Sequence, residues 1–302
     1  MDNLNYAYTA GTNRLRQIRD TTGNGIVVPS DNYADDLDDQ AADNYQYDLN
    51  GNLTRDAKNR ISQVNGIFWT PNGKILKISK DLSNVPPGSA TAIDYEYDVS
   101  GNRLASMQTK SINGTTTYDY TFYVRDAQGN VMAEYEKRQQ GGAGTLLLKR
   151  HYIYGSNRMG LINRELNADA PKGETGSLAI LGAYEKDEAL RGARNYELRN
   201  HLGNVLLTIS DLKTSVVLNG AITASAPVVM TANDYFPGGM LIPGRKYNAS
   251  VAADHKFGFN GKENDNYVKD VEGTQQDYGM RIYRIRDVAC RIYHQGGQNN
   301  HN

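Results

Sequence analysis

A short string recurs along this chain, and its chemistry is that of a tight turn. Tyr47-Asp48-Leu49-Asn50-Gly51-Asn52-Leu53 returns as Tyr97-Asp98-Val99-Ser100-Gly101-Asn102-Arg103-Leu104 and, less completely, as Arg125-Asp126-Ala127-Gln128-Gly129-Asn130-Val131. Degenerate copies read Thr70-Pro71-Asn72-Gly73-Lys74-Ile75, Tyr154-Gly155-Ser156-Asn157-Arg158-Met159 and His201-Leu202-Gly203-Asn204-Val205. The glycines at 51, 73, 101, 129 and 155 are spaced by 22, 28, 28 and 26 residues, room for two short strands and two turns. A period of this kind marks an array rather than a single wound core. An Asp opening a turn accepts a hydrogen bond from a backbone N–H two residues on. A Gly three residues after it takes the left-handed conformation that closes a type I turn with a bulge.

The segments between these turns read as half-buried strands. Tyr95-Glu96-Tyr97, Tyr118 to Val124 and Ile75 to Lys80 place apolar or aromatic residues at period two. Helical periodicity is scarce; one short helix is expected around Glu185 to Arg191, ended by Gly192. The fold class read from the sequence is all-β, with serial antiparallel hairpins forming a curved sheet.

Composition agrees. Among 302 residues there are 21 Tyr against 5 Phe and 1 Trp, with 30 Gly and 30 Asn, the residues that accept positive φ in turns. Val216 to Asn233 carries no charge, but Asn219, Gly220 and Pro227 interrupt it, so no membrane-spanning helix is expected. Lys and Arg (33) balance Asp and Glu (34), which removes the electrostatic case for a nucleic-acid partner. The single cysteine, Cys290, forms no internal disulfide and supplies no thiolate zinc site. Met1 to Tyr6 lacks the basic and apolar regions of a signal peptide.

Three stretches break the array. Asp31 to Asp43 carries six Asp without the ligand spacing of a calcium loop and reads as a solvated connection. Gln139 to Gly144 reads as a hairpin tip, and Leu166 to Gly176 as a surface loop.

The repeats resemble the YD repeats of RHS (rearrangement hotspot) proteins, and the C-terminal third resembles their core segment in its Bacteroidetes-type form. The strings that carry the resemblance are Tyr196 to Leu206, Asp234 to Arg245, Phe257 to Glu263 and Gln275 to Tyr283, in that order. The resemblance covers roughly residues 1 to 283. It implies a β-strip wound into a hollow shell that encloses a variable C-terminal passenger, often a toxin, in a protein secreted or held at the cell surface. The core signature it assigns is Asn260, Gly261, Lys262, Glu263, Asp277, Tyr278 and Gly279. The structural turn residues are Tyr47, Asp48, Gly51, Asn52, Tyr97, Asp98, Gly101, Asn102, Gly129, Asn130, Gly203 and Asn204.

The match stops after Tyr283. The family pattern continues with Asp-Pro pairs at which self-cleavage is placed; here the chain reads Arg284-Ile285-Arg286-Asp287-Val288 and contains no Asp-Pro at all. We therefore divide the chain into a YD-repeat region (1–165), a loop with a short helix (166–195), the core segment (196–283) and an aberrant tail (284–302). The tail is the expected product of a frameshift or recombination in a shell fragment truncated at both ends.

No catalytic constellation is expected. The histidines at 151, 201, 255, 294 and 301 show no metal spacing, and no nucleophile elbow, phosphate loop or dinucleotide fingerprint occurs, so neither a metal nor a cofactor is expected. Cys290 lies near Arg286 and Arg291 but reads as an ordinary thiol. Asp277 and Asp287 are the nearest candidates for self-cleaving aspartates, and both lack the context. The expected function is a non-catalytic piece of shell wall whose partners are the rest of the shell and its passenger. Open sheet edges predict self-association. The alternative is a carbohydrate-binding surface built from Tyr47, Tyr95, Tyr97, Tyr118 and Tyr120, whose rings would stack on sugars if they shared an exposed face.

Overall fold

Each turn locks a hairpin by the same two backbone bonds. In a computed structural model, which describes residues 4–20, 40–61, 66–81, 88–112, 114–170, 191–249, 255–270, 272–273, 275–277 and 282–284, seven turns share one geometry. They begin at Asp48, Thr70, Asp98, Asp126, Asn200, Phe236 and Gly258. In each, the first residue donates its N–H to the carbonyl of the fifth, and the fourth residue, always Gly, donates back to the carbonyl of the first. Those glycines have φ between 64° and 89°, the left-handed region. A side chain braces most copies. Asp48 accepts from the N–H and the amide of Asn52 at 2.8 and 2.9 Å, and Asp98–Asn102 and Asp126–Asn130 repeat that pair. Thr70 and Asn200 accept one such backbone bond each from the fifth residue.

Gly155 departs from the expected pattern. Its N–H donates to Asn157, Tyr154 faces Arg158 directly, and its φ is not positive, so this is a shorter loop of another kind. Conversely, the turns at Phe236 and Gly258 belong to the series although their sequences lack its opening Asp.

The described chain forms two units, Met1–Thr116 with Asn264–Asn302, and Thr117–Glu263. In the first, β1 (Leu4–Tyr8) pairs with β2 (Leu15–Asp20) and β3 (Tyr45–Tyr47) with β4 (Leu53–Asp56). There, β5 (Ile67–Trp69), β6 (Ile75–Ser79), β7 (Ala90–Tyr97) and β8 (Arg103–Ile112) follow one another as an antiparallel meander. The second unit continues in the same style. It comprises β9 (Thr115–Arg125), β10 (Val131–Gln140), β11 (Leu146–Tyr154), β12 (Arg158–Asn167), β13 (Arg194–Arg199), β14 (Val205–Leu218), β15 (Ala221–Tyr235) and β16 (Leu241–Asn248). Every consecutive pair is antiparallel. After β17 (Glu263–Asn264), the chain adds to the first unit a four-residue helix α1 (Asn266–Lys269) and the pair β18 (Gln275–Asp277) and β19 (Ile282–Arg284). The chain is thus all-β in serial hairpins.

Some expectations fall outside the described residues: the acidic stretch at 31–39, most of the connection at 171–190 with its helix, Tyr278, Gly279, Asp287, Cys290 and the tail from 285. Helix α1, by contrast, had no sequence signal. Around the connection, β12 runs on through Asn167 and β13 begins at Arg194, so the strands reach two residues into the 166–195 segment at each end.

Six of the seven regular turns sit beside a register shift, for example Gln46/Tyr47, Phe68/Trp69 and Glu96/Tyr97. This bulge breaks strict alternation, which is why Ile75 and Ile78 are both buried on β6 while Leu76 is exposed. It also aims the residue before the turn at the hairpin that precedes it. Trp69 Nε1 donates to the carbonyl of Leu53 at 2.7 Å, and Tyr97 Oη to that of Ile75 at 2.9 Å. Tyr154 Oη donates to Val131 at 2.9 Å and Tyr235 Oη to Val205 at 3.1 Å. In all four, an aromatic before one turn reaches the first residue after the preceding turn of the series. The carbonyls so capped lie on the strands that build the core: Leu53 and Ile75 in a cluster with Ile18, Ile78, Ile93 and Tyr95, and Val205 in one with Tyr152, Leu161 and Phe257.

Removing one stitch while keeping the ring isolates its value. Tyr97→Phe and Tyr235→Phe are each expected to cost about 1 kcal/mol in urea unfolding, since a buried carbonyl loses its donor. Tyr118→Phe, on a ring 37% exposed, is expected to change stability by less than about 0.5 kcal/mol.

Candidate functional site

The residues from His255 to Asp270 are held against the hairpins by charges taken out of water. In the second unit, Glu134 on β10 is fully buried. Its carboxylate accepts from Arg150 Nη1 at 2.5 Å, Tyr152 Oη at 2.7 Å and Lys256 Nζ at 2.9 Å. Lys256 also pairs with Glu263 at 2.8 Å, and Tyr123 Oη donates to Glu263 at 2.9 Å. Burial alone would raise the Glu134 carboxyl, but the cations of Lys256 and Arg150 hold it below the usual range. Burial alone would lower the Lys256 ammonium, and Glu134 with Glu263 hold it well above its ordinary value.

A second buried carboxylate, Glu197 on β13, sits among three basic groups. Arg158 Nε donates to it at 2.8 Å, His255 Nε2 lies 3.0 Å away, and Arg199 completes the set. Burial opposes ionisation here too, yet the bond from His255 and the charge of Arg158 bring its pKa down to about 2. Arg158 does more than pair. Its Nη2 donates to the carbonyl of Gly261 at 2.9 Å and its guanidinium lies 3.3 Å over the Phe257 ring, which meets Tyr152 edge-on at 5.7 Å.

Three turns meet around this segment. Asn204 accepts from the Asn260 N–H at 2.8 Å, and the Val205 N–H donates to the carbonyl of Gly258 at 3.1 Å. Gly239 lies flat against Phe259: a Cβ there would stand 2.6 Å from the ring, so only glycine permits the approach.

The first unit repeats the device. Asp265 accepts from Tyr95 Oη at 2.9 Å and faces Arg103 at 3.4 Å, both partners buried. Burial, then the Asp265 charge, pushes the Tyr95 phenol well up. Asp270 binds Lys80 and Arg60, each at 2.8 Å, and Lys80 also donates to the carbonyl of Tyr267. Val268 of α1 enters the apolar cluster.

The turn residues singled out from the sequence occupy the turns described above: Tyr47 and Tyr97 before them, Asp48 and Asp98 opening them, Gly51, Gly101, Gly129 and Gly203 fourth, Asn52, Asn102, Asn130 and Asn204 fifth. Of the core signature, Asn260, Gly261 and Lys262 form the turn that meets Gly203 and Asn204, while Glu263 binds Lys256. Asp277 ends β18, opposite Ile282, away from any of these carboxylates' partners in the contacts above. The sequence did not single out Glu134, Arg150, Arg158, Glu197 or Asp265 as site residues. Their partners are far along the chain, Lys256 lying 122 residues from Glu134, and no local spacing announces such pairs.

Chemically, this is a clamp. Glu134 and Lys256 hold each other in their charged forms, and Glu197 is held in its charged form by Arg158, Arg199 and His255. Among the described residues, no group of three or more His, Cys, Asp or Glu is placed to hold a metal ion. Nor is any described helix long and apolar enough to cross a membrane.

No protein-family model and no curated protein matches the chain. Among solved structures it is similar to the crystal structure of TcdB2-TccC3, at 13% identity and a TM-score of 0.48, over 82% of this chain and 9% of that one. It is similar at 14% identity and a TM-score of 0.49 to TcdB2-TccC3-TEV, over 93% and 10%. The pore form of the Photorhabdus luminescens Tc holotoxin matches at 13% identity and a TM-score of 0.48. The chain spans about a tenth of the length of the structures it matches.

Two measurements probe the clamp. Glu197→Gln leaves the half-buried Arg158 and Arg199 without their counter-charge and is expected to cost about 3 kcal/mol in denaturant unfolding. Because the Glu197 pKa is depressed from 4.5 to about 2, its contribution is complete above the unfolded value and disappears as pH falls from 4.5 to 2. Wild-type stability should decline through that window, and the decline should be shallower in Glu197→Gln.

Proposed function

We propose that this chain is a length of wall from an RHS-type shell, a non-catalytic scaffold in which the residues from His255 to Glu263 brace hairpins of the second unit and those from Asp265 to Asp270 brace hairpins of the first. The observation that carries the reading is the stitched series of turns. Four hairpins are each fixed to an earlier one by the same aromatic-to-carbonyl bond, from Trp69, Tyr97, Tyr154 and Tyr235, a construction that extends by repetition. The sequence resemblance supplies the rest: an exported or surface-held protein, and a variable passenger domain as the enclosed partner. The clamp chemistry supports this, since buried, mutually neutralised charges position a segment and leave no group free to transfer protons.

The carbohydrate-binding alternative asks for exposed tyrosines in a row. Tyr95 is 2% exposed and bonded to Asp265, Tyr97 caps the Ile75 carbonyl and Tyr47 packs against the apolar cluster. Only Tyr118 and Tyr120 remain from that set, so the scaffold reading is the better supported.

The scaffold reading is tested on the natural full-length polypeptide. Trypsin should spare the segment that follows the wall until a denaturant unfolds the hairpins; equal digestion with and without folded wall would remove encapsulation from the proposal. The absence of self-cleavage is tested separately. Purified chain incubated at neutral pH should keep its intact mass, and Asp277→Ala should behave identically; a stable product ending between residues 277 and 287 would establish autoproteolysis instead.

A further inference from the structure

One element escapes the stitching. β13 pairs with β14 no further than Ser210, and β16 pairs with β15 from Thr231 onward, with one added bond from Ala249 to Met230. Between these limits, from Lys213 to the tip and back to Pro227, the two strands pair with each other alone among the described residues. They form a two-stranded arm whose outer backbone edges pair with no described residue. Its tip, Asn219-Gly220, has φ of 51° and 79°, the pair of left-handed residues that a two-residue type I′ turn requires. That turn matches the strand twist and holds the arm as an extended ribbon.

Beyond Lys213 the arm is uncharged, its polar side chains being only Thr, Ser and Asn. All residues from Leu212 to Ser225 are exposed, with Val217 at 59%, Leu218 at 63% and Ile222 at 70%. From Thr214 to Asn233 there is no charged residue, in a chain of which 22% is charged. Sheet edges are ordinarily protected by lysines, prolines or short length. The β15 edge has Pro227; the β14 edge from Thr214 to Leu218 has no such residue.

We infer that the β14–β15 arm is a docking edge for a second copy of the same arm, joined antiparallel along β14. Three features favour that occupant. Beyond Lys213 the ribbon offers nothing to compensate a partner's charges, which favours an uncharged partner strand, and the run from Thr214 to Asn233 is the longest uncharged segment in this chain. An antiparallel pairing of an edge with itself is two-fold symmetric, which closes the assembly at a dimer. Finally, the arm is small for an interface: a standard one uses about 20–30 residues a side. The dimer is therefore expected to be weak, dissociating in the micromolar range. None of this depends on the scaffold reading; a chain with any other function would carry the same open edge.

Sedimentation equilibrium of the purified chain across a hundredfold concentration range tests it. The wild type should pass from monomer to dimer. Val217→Lys with Ile222→Lys, two exposed residues opposite each other on the arm, should stay monomeric at every concentration with an unchanged far-ultraviolet circular dichroism spectrum. Leu49→Lys, at an exposed turn tip, should dimerise like the wild type. A wild type that remains monomeric throughout overturns the inference, as does a lysine double variant that dimerises as strongly as the wild type. Neutral phosphatidylcholine vesicles complete the test. Wild-type chain that stays monomeric in solution but co-sediments with vesicles would assign the arm to a lipid surface instead.

Discussion

The bond from an aromatic side chain to the backbone carbonyl beyond the preceding turn is the constraint on which this structure rests. A hairpin on its own is marginal in water. A turn motif specifies its hairpin but says nothing about which hairpin lies next to it. The stitch supplies that information locally wherever the residue before the turn is aimed at the neighbouring hairpin and ends in a donor. Tryptophan does this at position 69 and tyrosine at 97, 154 and 235. Phenylalanine would fill the same volume and leave the carbonyl without a donor, at a cost of about 1–3 kcal/mol for a buried group. At positions 97, 154 and 235 the choice of Tyr over Phe follows from that requirement. Where the residue before the turn is Arg, the contact changes: Arg125 donates to Gly129 within its own turn, and Arg199 turns to Glu197.

The buried charges do something different from the stitches. Replacing a buried ion pair by well-packed apolar residues is often neutral or stabilising, so Glu134 and Glu197 are poor sources of net stability. Their effect is on alternatives. If the segment from His255 to Glu263 docked one residue out of register, Lys256 would leave Glu134, and a fully buried carboxylate would lose one of the two cations it contacts. The penalty for a misplaced segment is therefore several kcal/mol, against a small gain for the correct one. An apolar seat would hold the segment as firmly and discriminate less. The turn at Gly258, packed on Asn204 and Phe259 against Gly239, adds shape to that charge selection.

How far the sequence discloses this depends on distance along the chain. The turns at Asp48, Asp98 and Asp126 are legible because acceptor, glycine and amide lie within five residues. At Phe236 and Gly258 the first residue contributes only backbone atoms, so the signature shrinks to a glycine in fourth place. Gly155 shows the converse, a glycine in register whose turn is of another type. Strict alternation fails on β6 because a bulge inserts a residue beside the turn, and nothing in Ile75-Leu76-Lys77-Ile78 reveals it. The clamp is least legible. Tyr95 lies 170 residues from Asp265, and a glutamate at an inward position of a strand reads as an exception until its partners are known.

The β14–β15 arm lies where these devices end. From Thr214 to Pro227 there is no aromatic side chain to stitch, no carboxylate to seat a strap and no opening Asp to brace a turn. Within the sequence this stretch invites a question about membranes, because an uncharged run is the familiar sign of a spanning helix. Its Asn-Gly pair answers that question differently, as the tip of a hairpin, and then the missing charges acquire another meaning. In a half-buried sheet each strand shows one face to water and needs polar residues there. A ribbon exposed on both faces needs them twice over, yet from Thr214 to Pro227 it offers only Thr, Ser and Asn and no charge. Such a composition is compatible with solubility only if part of that surface, and at least one backbone edge, is covered in the protein's working state.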